Sequence, residues 1–250
     1  MKKHLWQGGF TLLACAVCLL CAAGTAHGDV VLYDNGPLIT DWGVCPGGAD
    51  ASRLQTDLGM STYGFGSQLV SGNRVAEDFT AAGDWHISSI TFLAYQTASS
   101  LASTMSGVYV RIWNGVPDVP GSSVIFGDLA SNRFATTSFA NVYRVNYTNF
   151  TGITRPIMRV VATIDTIVDP GTYWVEWTLD GTLASGPWSP PITISGQTNT
   201  GNALQYTASA GAWAAARDTS ILAPQGLPFV VSGSVVPEPL LGTAALLAVL

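Results

Sequence analysis

The chain has 250 residues, 48 % of them hydrophobic and only 10 % charged, with sixteen Asp plus Glu against ten Lys plus Arg and a net charge of −6. That acidic balance excludes the electrostatic footprint of a nucleic-acid binder and any attraction to anionic membrane surfaces. A chain of this size can bury an adequate core without disulfides.

In chain order, Met1-Lys2-Lys3-His4 is a short basic segment, and residues 12–23 are a continuous apolar run. Small residues follow, with Ala26 and Gly28 placed two apart before Asp29. A basic start, an apolar run too short to span a bilayer and small residues at its exit predict a signal peptide over residues 1–28. Cleavage after Gly28 is favoured over cleavage after Ala26. Removal of this leader takes both lysines and three of the four cysteines with it. What remains holds eight Arg against sixteen Asp plus Glu, a balance of −8, and Cys45 as its one thiol. Cys45 therefore has no disulfide partner and reads as a small buried filler.

Residues 29–235 form one predicted domain. Residues 30–33 are a first strand, turned by Asp34-Asn35-Gly36-Pro37. Residues 38–66, rich in Gly and small polar residues, predict a loop-rich excursion with a helical turn at 52–58. Strands follow at 74–80 and 85–97, the second with Ile90, Phe92 and Ala94 on one face. Residues 107–113 (GVYVRIW) alternate cleanly, Val108, Val110 and Ile112 against Tyr109, Arg111 and Trp113. A short strand at 123–127 precedes a hairpin, 133–139 and 142–147, turned at Ala140-Asn141. A β-branched run at 156–167 ends in Asp169-Pro170-Gly171, where Pro fixes φ and Gly accepts a left-handed conformation. That turn launches 172–179 (TYWVEWTL), with Tyr173, Val175, Trp177 and Leu179 on one face, Trp174 and Glu176 on the other. Strands at 202–209, 213–217 and 227–235 complete the set. About ten short strands between Gly, Pro and Asn turns predict an all-β fold, a single β-sandwich or jelly roll.

The chain then leaves strand patterning at Val236-Pro237-Glu238-Pro239, because two prolines remove ladder donors and stiffen the backbone. An apolar run over residues 240–250 follows at once, predicting a short hydrophobic helix. Pro237, Glu238 and Pro239 resemble the PEP-CTERM sorting signal of Gram-negative bacteria. The resemblance implies recognition and cleavage by an exosortase, transient association with the inner membrane, and delivery to the cell envelope, outer surface or extracellular matrix. Proteins with such signals are often associated with exopolysaccharide and biofilm. Two departures stand out: the basic cluster that closes the signal is not present, and eleven apolar residues fall short of the about twenty that cross a bilayer. The signal over residues 236–250 therefore reads as truncated. The domain itself is similar to a family of secreted β-rich proteins that often carry this tail. The similarity rests on Arg74-Val75-Ala76-Glu77-Asp78-Phe79, Arg111-Ile112-Trp113-Asn114-Gly115, Pro170-Gly171-Thr172-Tyr173-Trp174, LASGPWSPP at 183–191 and residues 225–230. That family implies location and class, and supplies no catalytic residues.

Catalytic chemistry has little to stand on in the residues themselves. His86, the one histidine after the leader, lies within a predicted strand, so any triad would depend on it alone. His86 and Cys45 cannot supply a zinc set of three or four. Oxygen-ligated Ca²⁺ is the cation left open, through Asp34, Asn35, Asp78, Asp118 or Asp128, though no EF-hand or RTX spacing supports it. Glycoside hydrolysis needs two carboxylates flanking a cleft, and Glu77, Asp78 and Glu176 are the candidates. Adjacent Glu77 and Asp78 must point to opposite faces of a strand. The prediction is therefore an exported, non-enzymatic envelope or matrix protein with weak glycan affinity, the competing expectation being a polysaccharide-active hydrolase or lyase on a jelly roll. Trp188, held in Gly186-Pro187-Trp188-Ser189-Pro190, Trp113 beside its turn, and Trp213 are the candidate sugar platforms.

Overall fold

The computed structural model describes residues 28–237, which contain fifteen strands, three single turns of 3₁₀-helix and no α-helix. The leader with Ala26, and Glu238, Pro239 and the apolar tail, lie outside the described residues; Gly28 and Pro237 are the first and last within them. In chain order the strands are β1 (Val30–Asp34), β2 (Asp41–Cys45), β3 (Ala49–Leu54), β4 (Phe65–Gly66) and β5 (Arg74–Ala81). Next come β6 (Trp85–Ala94), β7 (Met105–Trp113), β8 (Val124–Asp128), β9 (Phe134–Asn146) and β10 (Pro156–Val168). The last five are β11 (Gly171–Gly181), β12 (Trp188–Ser189), β13 (Leu204–Thr207), β14 (Ala212–Ala215) and β15 (Phe229–Val235).

They assemble into a seven-stranded sheet, β1-β15-β6-β10-β9-β3-β2, a six-stranded sheet, β14-β13-β5-β11-β7-β8, and the small pair β12-β4. Pairing is antiparallel except where β3 runs parallel to β9. The inward residues of both large sheets meet in one core. Ile90 and Phe92 of β6, Val160 of β10 and Phe229 of β15 pack against Val75 and Phe79 of β5, Val110 of β7 and Trp177 of β11. The ring of Phe92 stacks on that of Trp177 with centroids 4.7 Å apart, so the contact crosses from one sheet to the other. Each such fully buried aliphatic or aromatic side chain contributes roughly 1.5–3 kcal/mol through removal from water. The alternation in β7 and β11 is the cause: a period of two puts Val108, Val110, Ile112, Val175, Trp177 and Leu179 in the core.

Two expectations need correction. Residues 38–66 are more regular than a loop: β2, β3 and β4 lie there, with 3₁₀ turns at Pro46–Gly48 and Thr56–Leu58, the second falling within the helical turn expected at 52–58. Their small residues hide them, since β3 is buried by pairing along β9 rather than by bulky side chains of its own. Nor is 133–147 a hairpin. It is the continuous strand β9, and Ala140-Asn141 form a bulge against β10, where Ile157 pairs with Val142 but Met158 with Phe139. Asn141 takes φ 61° there, the left-handed conformation that Asn tolerates and that the sequence suggested for a turn.

The two ends of the described chain lie side by side. Val30 pairs with Gly233 across β1 and β15, and Val236 N–H donates to the carbonyl of Asp84, just before β6.

Candidate functional site

The cleft around Trp188 brings together aromatic, hydroxyl and cationic side chains. Proline-rich sequence cannot enter a regular sheet, yet β12 is clamped on both sides. Trp188 pairs with Gly66 of β4, and it exchanges two backbone hydrogen bonds with Tyr95 at the end of β6, at 3.0 and 2.9 Å. Close approach is required at Gly64, where a Cβ would sit 3.1 Å from the Tyr95 hydroxyl and 3.2 Å from Trp188 Cβ. The result is a cleft of about 330 Å³ whose walls include the rings of Tyr63, Tyr95 and Trp188. Hydroxyl side chains of Ser61, Thr62, Thr97, Ser185 and Thr219 line the rest. Arg155 completes it, its guanidinium 4.0 Å from the centre of the Tyr63 ring. The Trp188 ring is half-buried, with Nε1 within 3.4 Å of Ser185 Oγ.

Two buried charged groups hold the cleft in shape. Arg144, fully buried on β9, donates from Nε to the Tyr63 carbonyl, from NH2 to the Thr62 carbonyl, and from NH1 to Ser52 Oγ, Thr193 Oγ1 and the Arg53 carbonyl. Burial pushes its pKa down to about 10, which still leaves it a cation at neutral pH. Asp218 accepts backbone N–H bonds from Ser61 and Thr62 on Oδ2, both at 2.8 Å, and from Ser220 and Ile221 on Oδ1. Burial alone would raise the Asp218 pKa, but these four donors outweigh it and bring it below the ordinary value. Burial likewise pushes the Tyr95 hydroxyl up to about 12, with Arg144 and Arg155 opposing the rise.

The other sequence candidates fall elsewhere. Trp113 is buried on the outer face of the six-stranded sheet, its Nε1 donating to Glu176 Oε2 at 2.8 Å, so it offers no exposed platform. Trp213 is partly buried near it, donating to Asp118 Oδ2 at 2.9 Å and meeting Tyr206 edge-on. Glu176 is wholly covered: Arg74 Nε lies 2.5 Å from Oε1 and Arg111 NH1 3.7 Å from Oε2. The three residues bridge neighbouring strands, since Glu176 faces Arg111 directly and Arg74 diagonally. Arg74 also stacks over the Tyr206 ring at 3.7 Å, which makes this a closed structural network rather than an open carboxylate.

Glu77, by contrast, points into the core between the sheets. Its Oε2 accepts the N–H of Leu227 at 2.7 Å, and burial pushes its pKa up to about 8, with Asp78 adding to the rise. Glu77 and Glu176 thus occupy opposite faces of the six-stranded sheet, and neither lines the Trp188 cleft. Of the residues weighed for calcium, Asn35 bonds Tyr33 and the Leu227 carbonyl, and Asp128 closes the turn at Ala130 and Ser131. Among the described residues no three acidic, His or Cys side chains come together as a cation site. His86 pairs with Asp165 at 2.8 Å on the sheet surface, and Cys45 is buried.

Sequence reasoning singled out Trp188 but missed Tyr63, Tyr95, Arg144, Arg155 and Asp218. They arrive from separate segments through pairings distant in sequence, and no local pattern marks them. Comparison with protein-family models, with curated proteins and with solved structures gives no match to this chain.

Proposed function

We propose that this protein is an exported, non-enzymatic component of the cell envelope or extracellular matrix that binds glycan in the Trp188 cleft, on a jelly-roll-like β-sandwich. The observation that carries the reading is the composition of that cleft: three aromatic rings, five hydroxyl side chains and one arginine in one concavity. Ring faces take the apolar faces of sugars, while hydroxyl and guanidinium groups match sugar hydroxyls. The competing reading, a glycoside hydrolase or lyase, needs two carboxylates across a cleft. Its best candidates are engaged elsewhere, Glu176 by two arginines and Glu77 in the core. Delivery to the surface, with exosortase processing, rests on the leader and on the Pro237-Glu238-Pro239 resemblance.

A glycan array probed with the wild type and Trp188→Ala tests binding. Loss of the ring should weaken affinity about ten- to a hundredfold. Trp213→Phe, outside the cleft, should bind like the wild type. If wild type binds no saccharide, or Trp188→Ala binds equally well, the reading is wrong. Intact mass of the protein recovered from the cell surface tests the rest, through trimming after Gly28 and near Pro239; an untrimmed cytoplasmic species would contradict delivery.

A further inference from the structure

The outer face of the seven-stranded sheet carries a second cleft, and one strand links it to the first. This cleft, of about 250 Å³, is lined by Leu38, Trp42, Leu93, Arg159 and Val230, with Asp34 among its walls. Trp42 is 73 % exposed, an unusual state for so large an apolar ring. The cluster of Leu38, Tyr95, Ala140, Val142 and Ile157 lies between the clefts and contributes lining residues to both.

β10 provides the connection. Arg155, immediately before it, lines the Trp188 cleft; Arg159, four residues on, lines the Trp42 cleft; buried Ile157 sits between them in the shared cluster. With side chains alternating, residues 155, 157 and 159 take the same outward face, and the two arginine Cα atoms are spaced about 13 Å apart. Arg53, Arg74 and Arg111 are each in an ion pair, whereas neither Arg155 nor Arg159 is, among the described residues. Beneath the first cleft, Arg144 adds a third positive charge held only by carbonyl and hydroxyl oxygens. Of the five arginines in no ion pair among the described residues, Arg155 and Arg159 line the two clefts and Arg144 lies beneath the first, while Arg133 packs on Phe126 and Arg217 bonds the Leu222 carbonyl.

We infer that the two clefts form one track for a linear polyanionic saccharide, a polymer of uronic acid, running from Trp188 to Trp42 across the partly buried residues, Tyr63, Ile39 and Leu93, that pack on the Ile157 cluster. Arg155 and Arg159 donate to sugar carboxylates, for which the planar guanidinium is the fitting partner. Trp188 and Trp42 take ring faces at either end. The inference rests on the glycan-binding reading and adds charge selectivity and an extent greater than one cleft.

Calorimetry on the full chain tests it, with oligogalacturonides of increasing length and neutral xylo-oligosaccharides of matching length as probes. Uronides should bind more tightly than neutral chains, with affinity falling as salt rises and climbing with length beyond what one cleft holds. Arg155→Gln should lose about tenfold or more on short and long uronides alike. Arg159→Gln and Trp42→Ala should lose a similar factor on long chains only. Arg159 and Trp42 are exposed and Arg155 is half-buried against Tyr63, and unchanged thermal melts would establish that each variant is folded. Equal affinity for neutral chains, with both arginine variants unaffected, would overturn the charge selectivity while leaving glycan binding intact. Long uronides bound no better than short ones, with Trp42→Ala silent, would overturn the track. Binding of no saccharide at all would overturn the underlying reading as well.

Discussion

Glu77 makes the stability of this protein depend on pH in the direction opposite to most carboxylates. Its carboxyl group is buried between the sheets, where the Leu227 N–H at 2.7 Å is its one strong donor. The pKa rises from 4.5 to about 8 on folding, so the folded protein holds the proton more tightly than the unfolded chain. The corresponding stability is complete below pH 4.5 and is lost progressively as pH rises towards 8. A shift of that size amounts to about 3 kcal/mol lost between acid conditions and pH 7, with a slope approaching about 1.4 kcal/mol per pH unit. Glu77→Gln keeps an acceptor for Leu227 and an N–H where the protonated acid carries its O–H, but it cannot titrate. Urea unfolding of both proteins across pH 4.5 to 8 measures the difference, since His86 and the surface carboxylates are common to both. The two should be of similar stability at the acid end, with the variant gaining steadily towards pH 8. Parallel curves, or a variant that falls away faster than the wild type, would refute a core carboxyl kept protonated by burial.

Asp218 should give the acid limb. Its contribution is present above the ordinary value of 3.8 and lost as pH falls through the lower folded value. Asp218→Ala should cost about 3 kcal/mol and speed hydrogen exchange at Ser61, Thr62, Ser220 and Ile221; unchanged exchange there would contradict the assigned bonds. Arg144→Met strands five oxygen acceptors and should cost about 3–5 kcal/mol, and a denaturation midpoint equal to wild type would show that water satisfies them instead. Trp177 is buried with an Nε1 that finds no acceptor among the described residues, so Trp177→Phe removes an orphaned donor along with ring volume. It should cost under about 1 kcal/mol, against about 3–5 kcal/mol for Trp177→Ala, and equal losses in the two melts would argue that the indole is hydrogen-bonded.

The parts of the fold legible in sequence were those in which one strand face carries large apolar residues. β7 and β11 announced their core faces because Val108, Val110, Ile112, Val175, Trp177 and Leu179 recur with period two. β3 did not, because Ala49, Ala51, Ser52 and Leu54 are buried by the parallel approach of β9, a non-local event that leaves no trace in the segment itself. Asn141 misled for a related reason: a left-handed residue serves a bulge as readily as a hairpin turn, and pairing to β10 decides which. At the candidate site, Trp188 was legible because Pro187 and Pro190 flank it and mark it as unlike the long strands, although it is in fact paired to Gly66 and Tyr95. Arg144 was not, since an arginine on an alternating strand looks the same whether it meets solvent or the carbonyls of Thr62 and Tyr63. Trp113 failed in the other direction. Its outward position was correctly read, but Glu176, Trp174 and Val116 close over it.

The side-by-side ends of β1 and β15 give the molecule a polarity. The described chain enters at Val30, across β15 from the start of β6, and leaves past Val235, with Asp29 tied to Ser88 and Val235 paired with Trp85. Tyr95 and the Trp188 cleft lie at the far end of that same strand, about 30 Å away at the usual rise per residue. A tether joined to either terminus would therefore grip one pole and leave the opposite one facing outward. Both ends of the described chain share that pole, so moving an attachment from one end to the other would not turn the cleft towards a supporting surface.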